Sequence, residues 1–210
     1  MIKAQTMNEF DIKAKDWDKN MAHVERSRAI ADAMKKKIVF KPGMKALEYG
    51  AGTGLLSFML KDFLEDITLM DSSQEMINVL KDKIREGSVF NMHPEFFDLE
   101  KNDFRKGTFD LIYTLMVLHH VDDIKSVLGK FYNLLNPEGI LAIADLYQED
   151  GSFHGEGFTG HKGFDPGEMA KMLELVNFRN ITFKTSYVMK RTDDSGHSKE
   201  YPVFLMIAYK

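Results

Sequence analysis

The segment Glu48-Tyr49-Gly50-Ala51-Gly52-Thr53-Gly54 constrains this chain more than any other. Before it, Lys45 to Tyr49 is a short, partly apolar run; after it, Leu55-Leu56-Ser57-Phe58-Met59-Leu60 is apolar enough to be a helix packed on a sheet. The order is therefore strand, glycine turn, helix start. Glycines at alternate positions leave no Cβ to keep a ligand off the main chain, and the amides at a helix N-terminus favour a negative or electron-rich group. A nucleotide-like ligand is expected. The dinucleotide fingerprint G-x-G-x-x-G is absent, because its third glycine would fall on Leu55 counted from Gly50, or on Ser57 counted from Gly52.

A second acid stands at the expected distance. Asp66 to Asp71 reads as a strand ending in a carboxylate, and in doubly wound folds an acid about 20 residues past the glycine turn receives both ribose hydroxyls. Asp71, Ser72 and Ser73 are equally good caps for the helix that follows, over about Gln74 to Arg85 with Met76, Ile77, Leu80 and Ile84 on one face. Both roles are compatible. A third strand is expected at Glu95-Phe96-Phe97, shortened by Pro94, with Asp98 and Leu99 just past it. Phe109 to Tyr113 and Ile140 to Asp145 give the fourth and fifth strands, separated by a helix from about Ile124 to Leu135. After a helix from Pro166 to Val176, capped by Asp165, Phe178 to Lys190 and Pro202 to Tyr209 form a terminal pair of strands. The turn Asp193 to Ser198 between them reads as a solvated hairpin. This alternation predicts an α/β domain with a mostly parallel sheet flanked by helices.

Four segments together resemble the motifs of the class I S-adenosylmethionine-dependent methyltransferases: E-x-G-x-G-x-G at Glu48 to Gly54, D-x-S-x-x-M at Asp71 to Met76, the acid at Asp98, and F-D-x-I followed by L-H-H-x-x-D at Phe109 to Asp123. A fifth likeness is the turn Leu135-Asn136-Pro137-Glu138-Gly139, where Glu138 replaces a glycine. The resemblance covers residues 38–210 and implies a three-layer sandwich around a seven-stranded sheet of order 3214576, with the seventh strand antiparallel. It implies S-adenosylmethionine as cofactor, with Glu48, Gly50, Gly52 and Gly54 around it. Asp71 would take the ribose, Ser72 and Met76 would border the adenine, Asp98 would accept from the adenine amino group, and the amide of Leu99 would face a ring nitrogen. Leu115 and Met116 would border the methionine end, and His120 would come near the methyl group or the acceptor.

Residues 1–37, helical from about Met21 to Lys37, are expected to act as a lid over the cofactor, with Trp17 either reaching it or anchoring the N-terminal helix. The loop from Tyr147 to Phe164 carries five glycines, His154, His161 and three phenylalanines, too polar for a core element and too aromatic for a plain linker. It follows the central fifth strand and is expected to cap a substrate. A nucleophile of low acidity needs its proton removed, and the candidates are His120, His154 and Asp145 in that order. Of the adjacent pair His119 and His120, at most one is expected in the site, the other being a satisfied buried histidine. Neither has metal-ligand spacing, so no metal is expected.

Composition narrows the acceptor. A net charge of -4 gives no basic field for nucleic acid, so a small molecule is expected to receive the methyl group. With no cysteine, no signal-like apolar stretch at Met1 to Thr6 and no run of membrane-spanning length, the reading is a cytoplasmic protein away from membranes. Two other classes remain: a module that binds S-adenosylmethionine without turnover, and a nicotinamide oxidoreductase, which the missing fingerprint disfavours.

Overall fold

A computed structural model describes residues 9–155, 157–192, 196 and 198–210. Most of the expected Asp193 to Ser198 hairpin and the start of the chain lie outside the described residues. The strands are β1 (Lys45–Tyr49), β2 (Asp66–Asp71), β3 (Met92–Phe96), β4 (Phe109–Leu115), β5 (Leu135–Leu146), β6 (Arg179–Thr192) and β7 (Ser198–Tyr209). The helices are α1 (Glu9–Lys13), α2 (Met21–Lys37), α3 (Leu55–Leu60), α4 (Gln74–Glu86), α5 (Ile124–Leu134) and α6 (Pro166–Leu175). The sheet order is β3-β2-β1-β4-β5-β7-β6. The first five strands pair in parallel, and β7 runs antiparallel to both of its neighbours.

Alternation along each strand divides the core between the two faces of the sheet. Ala46, Ile67, Leu69, Leu111, Tyr113, Ala142 and Ala144 pack with α2, α3 and α4, while Leu47, Tyr49, Met70, Ile112, Leu141 and Ile143 pack with α5 and α6. Ile30 and Met34 place α2 within the first of these layers. Parallel strands need cover on both sides because their crossover helices occupy both faces.

Three strands start three or more residues before the sequence expectation. β3 begins at Met92 and runs through Pro94, which is tolerated because β3 is an edge strand paired with β2 alone among the described residues. β5 begins at Leu135 and carries the Asn136-Pro137-Glu138-Gly139 turn as an irregularity opposite Phe109 to Leu111. There Glu138 adopts φ 61°, and its carboxylate meets Arg179 at 2.6 Å. β7 starts at Ser198, so Pro202 lies inside it, opposite Val188. The helix ends follow local chemistry. Ser73, rather than Asp71 or Ser72, accepts the Met76 amide at the start of α4, and Asp165 accepts the Glu168 amide before Pro166 in α6.

Candidate active site at the carboxyl ends of the central strands

A cavity of about 790 Å³ opens over the carboxyl ends of β1, β2 and β4. Its floor is the glycine turn. Gly50, Gly52 and Gly54 all have positive φ, but for different reasons. A Cβ on Gly50 would lie 2.4 Å from a Val117 methyl, and one on Gly54 would lie 2.6 Å from Leu80 Cδ1, so those two permit the turn to pack on the protein itself. At Gly52 the nearest atom would be Met76 Sδ at 3.8 Å, an ordinary contact. Gly52 is the position where the backbone lies open to the cavity.

Asp71 stands beside it and is partly buried. Its two oxygens accept the amides of Gly52 at 2.7 Å and Ser73 at 2.8 Å. Burial raises its pKa, opposed by those amide bonds. Glu48 is 3% exposed and accepts a hydrogen bond from Ser57 Oγ, which also meets the Tyr113 hydroxyl. Burial pushes Glu48 up to about 8, so it is mostly protonated at neutral pH. Ser72, Met76, Asp98, Leu99, Leu115 and Met116 line the same cavity, so the structure brings the expected cofactor residues together except Gly54, which packs on Leu80 and does not line it. Met116 holds φ 59° while its amide bonds the Ala144 carbonyl at 2.8 Å, which fixes the chain as it leaves β4. Asp98 has local work as well: its carboxylate accepts the Glu100 amide at 3.1 Å and meets Lys101 Nζ at 2.6 Å.

The N-terminal segment forms the opposite wall. Glu9, Phe10, Trp17 and His23 line the cavity, with the Trp17 and His23 rings 4.1 Å apart. Asp18 ties this segment to the glycine turn, meeting Thr53 Oγ1 and Lys83 Nζ at 2.5 Å each. Asp11 accepts from Ser73 Oγ at 2.6 Å.

At the far end lie the histidines. The turn Leu118–His120 after β4 brings both His119 and His120 to the cavity wall, His119 being the buried, hydrogen-bonded member of the pair that the sequence leads one to expect. A tight turn brings their rings to 4.2 Å instead of splitting them between two sides. His154 joins them from the loop after β5, its ring stacked on Phe158 at 3.9 Å. Burial, with the neighbouring imidazoles second, drives His120 down to about 4. Burial, then His119 and the Arg191 charge, bring His154 down to about 4, so both are neutral at pH 7. Asp145 is fully buried behind this group, with Oδ1 at 2.6 Å from His119 Nδ1. It reaches the cavity through His119. The sequence reading assigned His119 no function, although an imidazole directly before a candidate base was a signal for it.

The loop 147–164 is joined to this site. Tyr147 bridges Phe164, the His161 amide bonds the His119 carbonyl at 2.7 Å, and Phe153 is buried against Tyr201 and Arg191. His154 faces the histidine pair and not open solvent.

Comparison with known proteins agrees with this geometry. The methyltransferase-domain family model matches residues 21–183, and the chain belongs to that family. An uncharacterized methyltransferase of Schizosaccharomyces pombe is 29% identical over 156 residues, 67% of this chain and 55% of that protein. Phosphoethanolamine N-methyltransferase 3 of Arabidopsis thaliana is 34% identical over 107 residues, 50% of this chain and 21% of its own. The chain thus spans about half or less of these relatives. Among solved structures, Haemonchus contortus phosphoethanolamine N-methyltransferase 2, in complex with phosphomonomethylethanolamine and S-adenosylhomocysteine, superposes with a TM-score of 0.73 at 12% identity, covering 100% of this chain and 61% of that one. That likeness concerns the fold. Family membership together with the E-x-G-x-G-x-G turn identifies residues 21–183 as a methyltransferase domain.

Proposed function

We propose that the cavity binds S-adenosylmethionine between the glycine turn and the N-terminal segment, and that the chain transfers its methyl group to a small molecule held beside the histidines. One observation carries this reading: a single cavity has Gly52 and Asp71 at one end and His119, His120 and His154 at the other. When bound, the cofactor supplies a methyl group already activated by the positive charge on its sulfur.

The residues have little covalent work to do. Asp71 holds the ribose hydroxyls while its amide bonds to Gly52 and Ser73 keep it in place. Ser72 and Met76 would border the adenine, Asp98 would accept from its amino group, and the Leu99 amide would face a ring nitrogen. Leu115 and Met116 would border the methionine end, with the Glu48 carboxyl on the floor beneath it. Trp17 and the rest of residues 9–20 close over the top and exclude water. His120, neutral and at the cavity wall, accepts the proton of the acceptor; His154 flanks it, and the Asp145 carboxylate orients His119 behind the pair.

A small acceptor is supported by the acidic net charge and by a relative named for phosphoethanolamine. Soluble metabolite extract incubated with protein and methyl-labelled cofactor should yield label in a low-molecular-weight product. Label confined to protein or RNA would refute the acceptor class. If S-adenosylhomocysteine binds and no fraction accepts label, the reading of a binding module without turnover replaces it. No helix among the described residues is long and apolar enough to cross a membrane.

A further inference from the structure

Three imidazoles from two separate segments converge at the acceptor end of the cavity. His119, His120 and His154 each offer a ring nitrogen, and these atoms lie within 4.8 Å of one another. Ring centroids are 4.2 Å apart for His119 and His120, 4.9 Å for His119 and His154, and 5.2 Å for His120 and His154. His119 already has the companion that an imidazole ligand commonly has. Its Nδ1 lies 2.6 Å from Asp145 Oδ1, with both side chains buried, which fixes the ring and leaves Nε2 as the available atom. Two further atoms have no account in methyl transfer alone. His154 Nε2 and Asp145 Oδ2 are shut off from solvent and have no hydrogen-bond partner among the described residues. The His154 ring is held against Phe158 at an interplanar angle of 16°, and the Arg191 guanidinium fixes the neighbouring Phe153 carbonyl.

We propose that His119, His120 and His154 form a three-nitrogen site for a divalent transition-metal ion of the zinc and cobalt type, with Asp145 as the carboxylate behind His119. The donor set selects the ion class. Imidazole nitrogens suit zinc, cobalt, iron and nickel, whereas magnesium and calcium want oxygen. Metal–nitrogen bonds of about 2.0 to 2.1 Å put tetrahedral ligands roughly 3.4 Å apart, so the widest pair must draw in by about 1.4 Å. Rotation of the His120 and His154 side chains can supply that shift, and the glycines at 155 and 157 make the turn beyond His154 adaptable.

What the ion does there rests on the methyl-transfer reading. Three protein ligands leave a position open to the cavity, and an acceptor O–H or S–H group entering it becomes more acidic. Its proton leaves to solvent, the new heteroatom–methyl bond forms, and the methyl–sulfur bond breaks with its electron pair staying on sulfur as a neutral thioether. In the loaded protein His120 is a ligand, and the ion takes over the lowering of the acceptor's pKa. The acceptor class narrows to small molecules whose reacting oxygen or sulfur can ligate a metal.

Untagged, metal-stripped protein titrated with cobalt(II) provides the test, followed by visible absorption and by zinc competition against a chromophoric chelator. The expected result is one ion per chain with the ligand-field bands of a low-coordinate nitrogen site. His120→Ala and His154→Ala, checked for folding by circular dichroism, should lose those bands. Asp145→Asn should weaken binding about 10- to 100-fold, as loss of an outer-shell partner does. His93→Ala, at the surface beside Asp66, should bind as the wild type does. His154 lies on a loop, so its variant keeps the test decisive if the buried positions fail to fold. The site is overturned if cobalt does not bind, or if His154→Ala and His120→Ala bind it like the wild type. Calorimetry of the metal-free protein with S-adenosylhomocysteine separates the two claims: homocysteine adduct binding without cobalt binding removes the metal site alone, and cobalt binding without it removes the methyl-transfer reading.

Discussion

At the scale of single residues, Glu48 shows how the fold sets the chemistry of the cavity. Its ordinary pKa of 4.5 rises to about 8 because the carboxyl is buried, against the opposing hydrogen bond from Ser57. The folded chain therefore keeps a proton that the unfolded chain loses between those two values. The resulting stabilisation is fully present below about pH 4.5, declines as pH rises through the window and is gone above about 8. Glu48→Gln keeps the shape and the acceptor for Ser57 but cannot ionise. Urea denaturation at a series of pH values should show the wild type losing, relative to the variant, on the order of a few kcal/mol between pH 5 and pH 9. Parallel pH profiles for the two proteins would mean that Glu48 is not held protonated. The sequence made Glu48 visible as the acid before the glycines; its protonation depends on burial beneath the layers around β1, which no local pattern carries. The three glycines were legible in the same partial way. Their spacing signalled a ligand, yet contacts with Val117 and Leu80 explain two of them and leave Gly52 facing the cavity.

At the scale of elements, the segment from Glu9 to Asn20 matters most for access. Asp18 joins it to the glycine turn through Thr53 and to α4 through Lys83, both at 2.5 Å. If this segment closes over the cofactor, breaking the tie should make release faster. Asp18→Ala should weaken S-adenosylhomocysteine binding by about 1 to 2 kcal/mol, the worth of a charged hydrogen bond. Stopped-flow measurement should place the change in the dissociation rate; an unchanged rate would leave residues 9–20 as an anchor and no lid. The lid expectation came from family resemblance and Trp17, and the particular tie through Asp18 was not readable. Thr53 and Lys83 are 35 and 65 residues away, and such pairings follow from tertiary approach. The histidine cluster was hidden for the same reason. His119 and His120 are adjacent, but His154 joins them only once β5 has crossed the sheet and the loop has folded back to bond the His119 carbonyl.

At the scale of the whole molecule, alternating strand and helix patterns made the parallel half of the sheet legible, because each strand is a short apolar run between helices of clear period. The place of β7 between β5 and β6 came from resemblance. Nothing in its composition distinguishes an inserted strand from an edge one, and Pro202 argued for a shorter element. The fold in turn sets the site: β1, β2 and β4 end together, so the turn after β1, the acid of β2 and the histidines after β4 share one cavity. The central claim is that this cavity binds S-adenosylmethionine and its product. Calorimetric titration of S-adenosylhomocysteine into the wild type and into Gly52→Val, with circular dichroism of both, tests it most directly. The account predicts one site per wild-type chain and no measurable heat for a folded variant, whose added methyl groups occupy the ligand's space. A wild type that does not bind, or a folded Gly52→Val that binds with near wild-type affinity, would contradict it.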